Sequence, residues 1–100
     1  MALCTPRWEE PFGLVLAEFL ACGTPVAAFA RGGLRQVVAP QAGVLAAPGD
    51  VVALAQAIDD AARLDRRDVR AHAEATCSAD VMVERYLDVY DELAQRAEAA

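Results

Sequence analysis

Two glutamates, Glu10 and Glu18, stand eight residues apart at the start of an apolar segment. Pro11 lies where a helix could begin, and apolar residues recur at helical spacing from Gly13 onward. The amides of Gly13 and Leu14 would be unpaired donors, and with the helix dipole they would attract an anion such as phosphate. A carboxylate accepts hydrogen bonds from two hydroxyls, which suits a ribose or hexose diol. The segment therefore predicts a phosphate site flanked by two carboxylates that bind sugar hydroxyls.

The same carboxylates have a second interpretation that involves no ligand. Glu9 and Glu10 would then be favourable charges near a helix N-terminus, and Glu18 a solvated residue on an amphipathic helix. Residue types and spacing leave both interpretations open. The resemblance described below favours the ligand-binding interpretation.

Three short apolar runs, at 2–4, 25–30 and 42–46, alternate with helical patterns. Strands of this kind are typical of a parallel sheet covered by helices. Three strands are fewer than the roughly four to six of a common sheet. We therefore predict an α/β fold, a partial doubly wound parallel sheet, with residues 1–100 forming a single partial Rossmann-like domain. Ligands of such sheets bind beyond the carboxyl ends of the strands, where the loop 5–12 would lie.

The helices are predicted from caps and periodicity. The first runs from Gly13 and ends before Gly23, a natural C′ residue, and a helix of one or two turns follows at 34–38. Asp50 would cap a helix from Val51 to about Arg63. Its predicted inner face consists of Val52, Leu54, Ala55, Ile58 and Ala62.

Two more helices are predicted in the last third of the chain. Asp65 would cap a short one through about Glu74, and Ser78 a last one with a charged face and an apolar stripe. The tail 94–100 should fray. His72 is predicted to be a helix-surface histidine. A solvated face is predicted for the arginines Arg63, Arg66, Arg67 and Arg70.

Composition excludes several classes of function. The chain has 100 residues, a hydrophobic fraction of 56% and a net charge of −6, which argue for a packed domain and against nucleic acid as a partner. Its three cysteines, Cys4, Cys22 and Cys77, are far apart and form no metal spacing. They are typical of a cytoplasmic protein. No stretch is long and apolar enough to span a membrane, and the start is no signal peptide. The start looks like the end of a strand that enters a loop, so we expect that the chain has lost, or never had, a part that precedes it.

The stretch RWEEPFGLVLAEFLACGTPVAAFARGG, at 7–33, resembles the donor-binding segment of family 4 glycosyltransferases, which have the GT-B fold. That family's pattern has two glutamates separated by seven residues in a context like E-P-F-G-L-x-x-x-E, here from Glu10 to Glu18, followed by G-x-P-V. Segments 43–58 and 77–93 resemble the family's later part and its C-terminal helix. The resemblance covers nearly the whole chain.

The resemblance implies specific roles. Glu18 would bind the ribose of a nucleotide-sugar donor, and Glu10 would face the transferred sugar as the catalytic residue. Pro11 and the amides around Phe12, Gly13 and Leu14 would hold the diphosphate or the sugar.

Other implications concern what the chain would need. Such enzymes retain anomeric configuration and need no metal or other cofactor. The family's arginine and lysine that neutralise the diphosphate lie upstream of this chain, as does the N-terminal acceptor-binding domain. Arg7 or Arg31 could approach the phosphates, but a surface or loop position is the favoured interpretation.

The predicted function is therefore the donor-binding part of a retaining glycosyltransferase. The full-length enzyme would transfer a hexosyl group from a UDP-, GDP- or ADP-linked sugar to a hydroxyl acceptor. Any peripheral association with a membrane would occur only through the full-length enzyme. The isolated chain would be inactive. One alternative is a non-catalytic nucleotide-sugar-binding or interaction module derived from the same fold. Another is a different GT-B chemistry, such as epimerisation of a nucleotide sugar.

Overall fold

The computed structural model describes residues 1–99 and contains one parallel sheet. The three strands, in spatial order β1-β2-β3, are β1 (Ala2–Cys4), β2 (Val26–Phe29) and β3 (Gly43–Ala46). Ala2 pairs with Val26, and Val26 pairs with Gly43. All four residues of β2 are buried, as expected for a central strand covered on both faces.

Five helices connect and follow these strands in the described part of the chain. They are α1 (Leu14–Ala21), α2 (Leu34–Val37), α3 (Val51–Ala61), α4 (Arg66–Thr76) and α5 (Ala79–Ala99). The predicted α/β class and partial Rossmann-like sheet are confirmed. That residues 1–100 form a single domain stays a prediction.

The predicted caps are present at the starts of three helices. The amide of Ala53 donates to the Asp50 carboxylate over 2.9 Å, and the amide of Arg67 donates to Asp65 over 2.8 Å. The amide of Val81 donates to the Ser78 hydroxyl over 3.2 Å. Each cap satisfies an amide that the helix itself leaves unpaired.

The two faces of the sheet are covered by different helices. Val26 and Ala28 of β2 belong to a core cluster with residues of α1, α2 and α4. Ala27 and Phe29 of the same strand belong to a second cluster with α3. Alternate residues of the central strand therefore contact opposite layers, which is the arrangement of a doubly wound sheet.

The predicted inner face of α3 is partly wrong. Leu54, Ala57 and Ala61 are buried, whereas Val52 is 82% exposed. Ala55 and Ala62, which were also assigned to that face, are exposed. Val52 lies two positions before Leu54 and so about 200° around a helix of 3.6 residues per turn. The buried residues instead follow the i, i+3, i+7 spacing of one face.

His72 is not on the helix surface as predicted, because α4 packs against the rest of the fold on the face that carries it. It is buried together with Val69 and Ala73. Its Nε2 lies 3.0 Å from the carbonyl oxygen of Val37, and its Nδ1 lies 3.4 Å from the side-chain Nε2 of Gln41. His72 therefore joins α4 to the end of α2. The sequence did contain a signal for this burial, because Val69, His72 and Ala73 follow the i, i+3, i+4 spacing of one helix face.

The predicted solvated arginine face is exposed, but two of its members also bind the end of α1. The guanidinium of Arg70 donates to the carbonyl of Ala21 over 2.7 Å, and that of Arg66 donates to the Thr24 hydroxyl over 3.3 Å. All four arginines of the cluster remain exposed.

The last helix, α5, is long and exposed. None of its residues is buried, and its predicted apolar stripe is half or more exposed over most of its length: Met82, Val83, Tyr86, Leu87, Tyr90 and Leu93. The helix continues to Ala99. The predicted frayed tail at 94–100 thus coincides with the end of α5, and Ala100 lies outside the described residues. Fraying itself stays a prediction.

Candidate functional site at the carboxyl edge of the sheet

Two loops meet where the parallel strands end. Residues 5–13 follow β1, and residues 30–33 follow β2. Because the strands are parallel, both loops leave the same edge of the sheet. All the predicted sugar- and phosphate-binding positions of the motif, 10–14, lie at this edge or at the start of α1.

The first loop is positioned by direct backbone contact with the second. A methyl group at Gly32 would overlap the backbone oxygen and nitrogen of Glu10. A methyl group at Gly33 would overlap the carbonyl oxygen of Pro11 and lie 2.8 Å from the Cα of Phe12. The amide of Gly33 donates to the carbonyl of Glu10. Sequence reasoning assigned these glycines only to a turn, because the contact involves residues about twenty positions apart.

The start of α1 is left without a side-chain cap. Gly13 is the N-cap, with φ of +91°, and it is buried against Leu34. The first helical bond runs from the amide of Ala17 to the carbonyl of Gly13 over 3.1 Å. The first turn carries no acidic residue. The amides that precede Ala17, those of Gly13, Leu14 and two more residues, thus have no partner within the helix and can donate to an anion.

The other end of α1 is held firmly. Gly23, with φ of +73°, donates its amide to the carbonyl of Leu20, and the amide of Thr24 donates to the carbonyl of Phe19. This pair of bonds is a Schellman motif, which confirms the predicted C′ role of Gly23. Together with the bond from Arg70 to Ala21, it anchors the helix whose opposite end faces the two loops.

The two motif glutamates have different surroundings. Glu10 is half-buried, whereas Glu18 is exposed on α1. Burial raises the pKa of the Cys4 thiol, and the negative charge of Glu10 raises it further. Glu18 lies one turn after Leu14, and side chains of a helix lean toward its N-terminus. Within residues 1–99, neither carboxylate has an ion-pair partner. Their joint contact with one ligand stays a prediction.

The basic residues near these loops also differ. Arg7 is exposed, as is Trp8 beside it, with 61% of its surface accessible. Arg31 is only half-buried, but its Nε atom is buried and has no hydrogen-bond partner among the described residues. Sequence reasoning favoured a surface or loop position for Arg31 and had no signal for this buried atom.

An apolar groove separates the motif from α5. Phe12 and Leu14 form one wall and are 48% and 64% exposed. The other wall includes Met82, Tyr86 and Val89 of α5. The sequence indicated the stripe of α5 but not that it faces the motif.

Residues 1–99 contain neither a metal-binding cluster nor a membrane-spanning helix. No group of three or more His, Cys, Asp or Glu side chains lies close enough together to hold a metal ion. That the reaction needs no metal stays a prediction. No helix in this part of the chain has the length and apolar composition needed to cross a membrane.

The chain is similar to known proteins in both sequence and structure. The family model described as "Glycosyl transferases group 1" matches residues 1–76. The chain belongs to this family. The predicted resemblance to the C-terminal part of a GT-B glycosyltransferase is thereby confirmed, while its assignment to family 4 stays a prediction.

Individual relatives of this glycosyltransferase chain agree with the family match. It is 39% identical to the D-inositol 3-phosphate glycosyltransferase of Xylanimonas cellulosilytica over 97% of its own length and 25% of the relative's. It is 42% identical to the glycogen synthase of Mycobacterium tuberculosis over 79% of its own length and 20% of the relative's. The chain thus spans a fifth to a quarter of these relatives.

A solved structure supports the fold. Sucrose-phosphate synthase from Thermosynechococcus elongatus superposes with a TM-score of 0.74 at 35% sequence identity. The match covers 95% of the present chain and 26% of the synthase chain. The three-stranded sheet and its helices are therefore an arrangement found in a larger glycosyltransferase.

Proposed function

We propose that the chain is the donor-binding part of a retaining glycosyltransferase that takes its sugar from a nucleotide sugar. The observation that carries this proposal is the uncapped start of α1 beside Glu10, at the carboxyl edge of a sheet in a chain of this family. The natural full-length protein would add the acceptor-binding domain. It would transfer a hexosyl group from a UDP-, GDP- or ADP-linked donor to a hydroxyl.

The α1 start would act on the leaving group. When the bond between the anomeric carbon and the diphosphate breaks, negative charge develops on the diphosphate oxygens. Free amides at Gly13 and Leu14, with the dipole of α1 behind them, would stabilise that charge without reorganisation. The loop residues Pro11 and Phe12 would line the same position. No metal is needed for this role.

The two glutamates would divide the remainder of the donor. Glu10, half-buried at the strand end, would accept hydrogen bonds from hydroxyls of the transferred sugar and orient it. Glu18, one turn into α1, would accept from the ribose hydroxyls. In this arrangement the diphosphate at the helix start would lie between the sugar at Glu10 and the ribose at Glu18.

Location belongs to the same proposal. We place the protein in the cytoplasm, because its three cysteines are free and a nucleotide-sugar donor is used there. Peripheral association with a membrane would come only through other parts of the full-length protein.

The test uses the full-length protein and titrates it with UDP, GDP and ADP by calorimetry. We expect one nucleotide to bind. Glu18→Gln should weaken the binding of that nucleotide by about 1–3 kcal/mol, because charge-assisted hydrogen bonds to the ribose are lost. Glu10→Gln should sharply reduce transfer from the cognate nucleotide sugar while leaving the affinity for free nucleotide nearly intact.

Glu9→Gln is the matched control, because Glu9 is the exposed neighbour of Glu10 and has no assigned role. Binding without transfer by the unaltered protein would indicate a non-catalytic module. Absence of nucleotide binding, or equal losses of nucleotide affinity in the Glu10 and Glu18 variants, would contradict the assignment.

A further inference from the structure

Arg31 occupies a position beside the motif loop that its sequence context did not reveal. It follows β2 and directly precedes Gly32, whose Cα packs on the backbone of Glu10. Its carbonyl accepts the amide of Leu34 over 3.2 Å, and the side chain of Leu34 packs against Gly13 at the start of α1. The backbone of Arg31 is therefore tied to both parts of the candidate site.

The guanidinium of Arg31 has an unusual hydrogen-bonding state. Its Nε is buried and has no acceptor in residues 1–99, and no carboxylate there forms an ion pair with it. The contrast is Arg35, four residues later and exposed, whose Nε donates to the carbonyl of Ala30 over 3.2 Å. A buried donor without an acceptor destabilises the fold, so such atoms call for a specific explanation.

An anionic ligand that contacts the accessible part of this guanidinium would offset that cost. A guanidinium presents its donors in a planar fork that suits phosphate oxygens, and its charge strengthens each bond. Glu9, Glu10 and Glu18 of the motif are acidic, and the other basic residue of the loop, Arg7, is exposed. A bound diphosphate needs positive charge among them, and the helix dipole provides only a partial one.

We propose that Arg31 is a donor-binding residue that hydrogen-bonds the diphosphate of the nucleotide sugar, together with the start of α1. This inference rests on the proposed function and adds to it a positive side chain contributed by this chain itself. Because the Nε itself is buried, the other nitrogens of this half-buried guanidinium are the ones that would donate to phosphate oxygens.

The inference predicts an unusual pair of effects for Arg31→Met in the full-length protein. Methionine keeps an unbranched apolar stem and removes the unpaired donor, so the melting temperature of the ligand-free protein should equal or exceed that of the unaltered protein. Affinity for the nucleoside diphosphate that the unaltered protein binds (UDP, GDP or ADP) should fall by roughly 10–150-fold, as for a lost hydrogen bond to a charged group. Affinity for the corresponding nucleoside should not change.

Arg35→Met is the matched control and should leave both affinities unchanged, because Arg35 already has a partner within the chain. Arg31→Gln provides a second variant if the Met variant does not fold. Diphosphate affinity within twofold of the unaltered protein would overturn the inference, as would an equal loss for nucleoside and diphosphate. A clearly lower melting temperature in both Arg31 variants would assign a structural role and overturn it as well.

The outcomes separate this inference from the function on which it rests. If the unaltered protein binds no nucleoside diphosphate, the proposed function fails and the inference fails with it. If it binds one and the Arg31 variants bind equally well, only the role of Arg31 is wrong.

Discussion

The two walls of the apolar groove, α1 with its loops on one side and α5 on the other, are stabilised in opposite ways. Both helices carry apolar residues at helical spacing. Leu16 and Leu20 of α1 are 2% and 0% exposed, and glycine contacts fix the loops before this helix. In contrast, no residue of the 21-residue α5 is buried. An amphipathic pattern therefore indicates which face of a helix is apolar, but not whether the same chain covers it.

The difference has a functional side. A site that stabilises developing charge must be held rigidly, and α1 is anchored at both ends by contacts within this chain. The exposed stripe of α5 contributes a groove wall but little packing. The candidate donor site therefore lies in the part of the fold whose elements pack against one another within these residues.

The largest expected contrast concerns one leucine in each helix. Leu20→Ala should destabilise the protein by about 2–5 kcal/mol, because it removes a fully buried side chain and leaves a cavity. Leu87→Ala on α5 should change the free energy of unfolding by no more than about 0.5 kcal/mol, since Leu87 is 53% exposed. Denaturant titration of both variants measures the two values. Equal losses would show that α5 is packed as tightly as α1.

Gly33→Ala tests the loop contact. Gly33 has φ of −64°, which any residue adopts, so the cost arises only from overlap with Pro11 and Phe12. We expect a loss of about 1–3 kcal/mol in the free energy of unfolding, together with weaker nucleotide binding as the motif loop shifts.

Gly49→Ala is the complementary control, because Gly49 has φ of +81° but nothing within 4 Å of the added methyl group. It should cost about 1 kcal/mol from backbone strain and leave nucleotide affinity unchanged. Unaltered nucleotide binding in Gly33→Ala would refute the idea that the contact of Gly33 with the motif loop positions the motif.

Arg70→Ala tests the anchor at the end of α1. It removes the bond to the Ala21 carbonyl, a solvent-exposed ion pair with Glu74, and a favourable positive charge near a helix C-terminus. Because the side chain is 61% exposed and screened by solvent, we expect a loss of only about 0.5–1 kcal/mol. Thermal or denaturant unfolding measures it. Arg67→Ala, on the same helix and exposed, should have a smaller effect, and a loss as large as that of Arg70→Ala would mean that the anchor contributes nothing specific.

The smallest effect concerns Cys4 at the end of β1. Burial and the Glu10 charge raise the pKa of its thiol above the ordinary value of 9.0, so at a given pH less reactive thiolate is present. The pH midpoint of Cys4 alkylation, followed by peptide mass spectrometry, should lie above that value. In Glu10→Gln the midpoint should move down, because one of the two causes is removed, whereas Glu9→Gln should leave it in place. An unchanged midpoint in Glu10→Gln would place that carboxylate away from the strand end.

Sequence reasoning succeeded where the signals are local. The strands at 2–4, 25–30 and 42–46 were predicted within one residue at each end, because short apolar runs bounded by turn residues indicate buried strands. The caps at Asp50 and Asp65 were predicted because a cap depends on residues two or three positions away. The resemblance to a GT-B glycosyltransferase depended on residues 10–26 and is confirmed by the family match, whereas family 4 stays a prediction.

It failed where the answer depends on which element packs against which. The inner face of α3 was partly misassigned because its alanines and valines allow more than one apolar stripe. His72 was placed on the surface because composition cannot show that α4 covers the end of α2. The roles of Gly32 and Gly33 depend on a loop more than twenty residues earlier in the chain.

The sequence by itself determined the class of fold, the caps and the pair Glu10 and Glu18 around a helix start, because all of these depend on residue types at short spacing. The family came from the resemblance of residues 10–26 to a known motif. Only the tertiary structure decided that Gly32 and Gly33 fix the motif loop, that Arg70 anchors α1 and that the Nε of Arg31 is buried without a partner beside the site. These facts require segments distant in sequence to come together, which follows from the parallel order of the strands and from no local pattern.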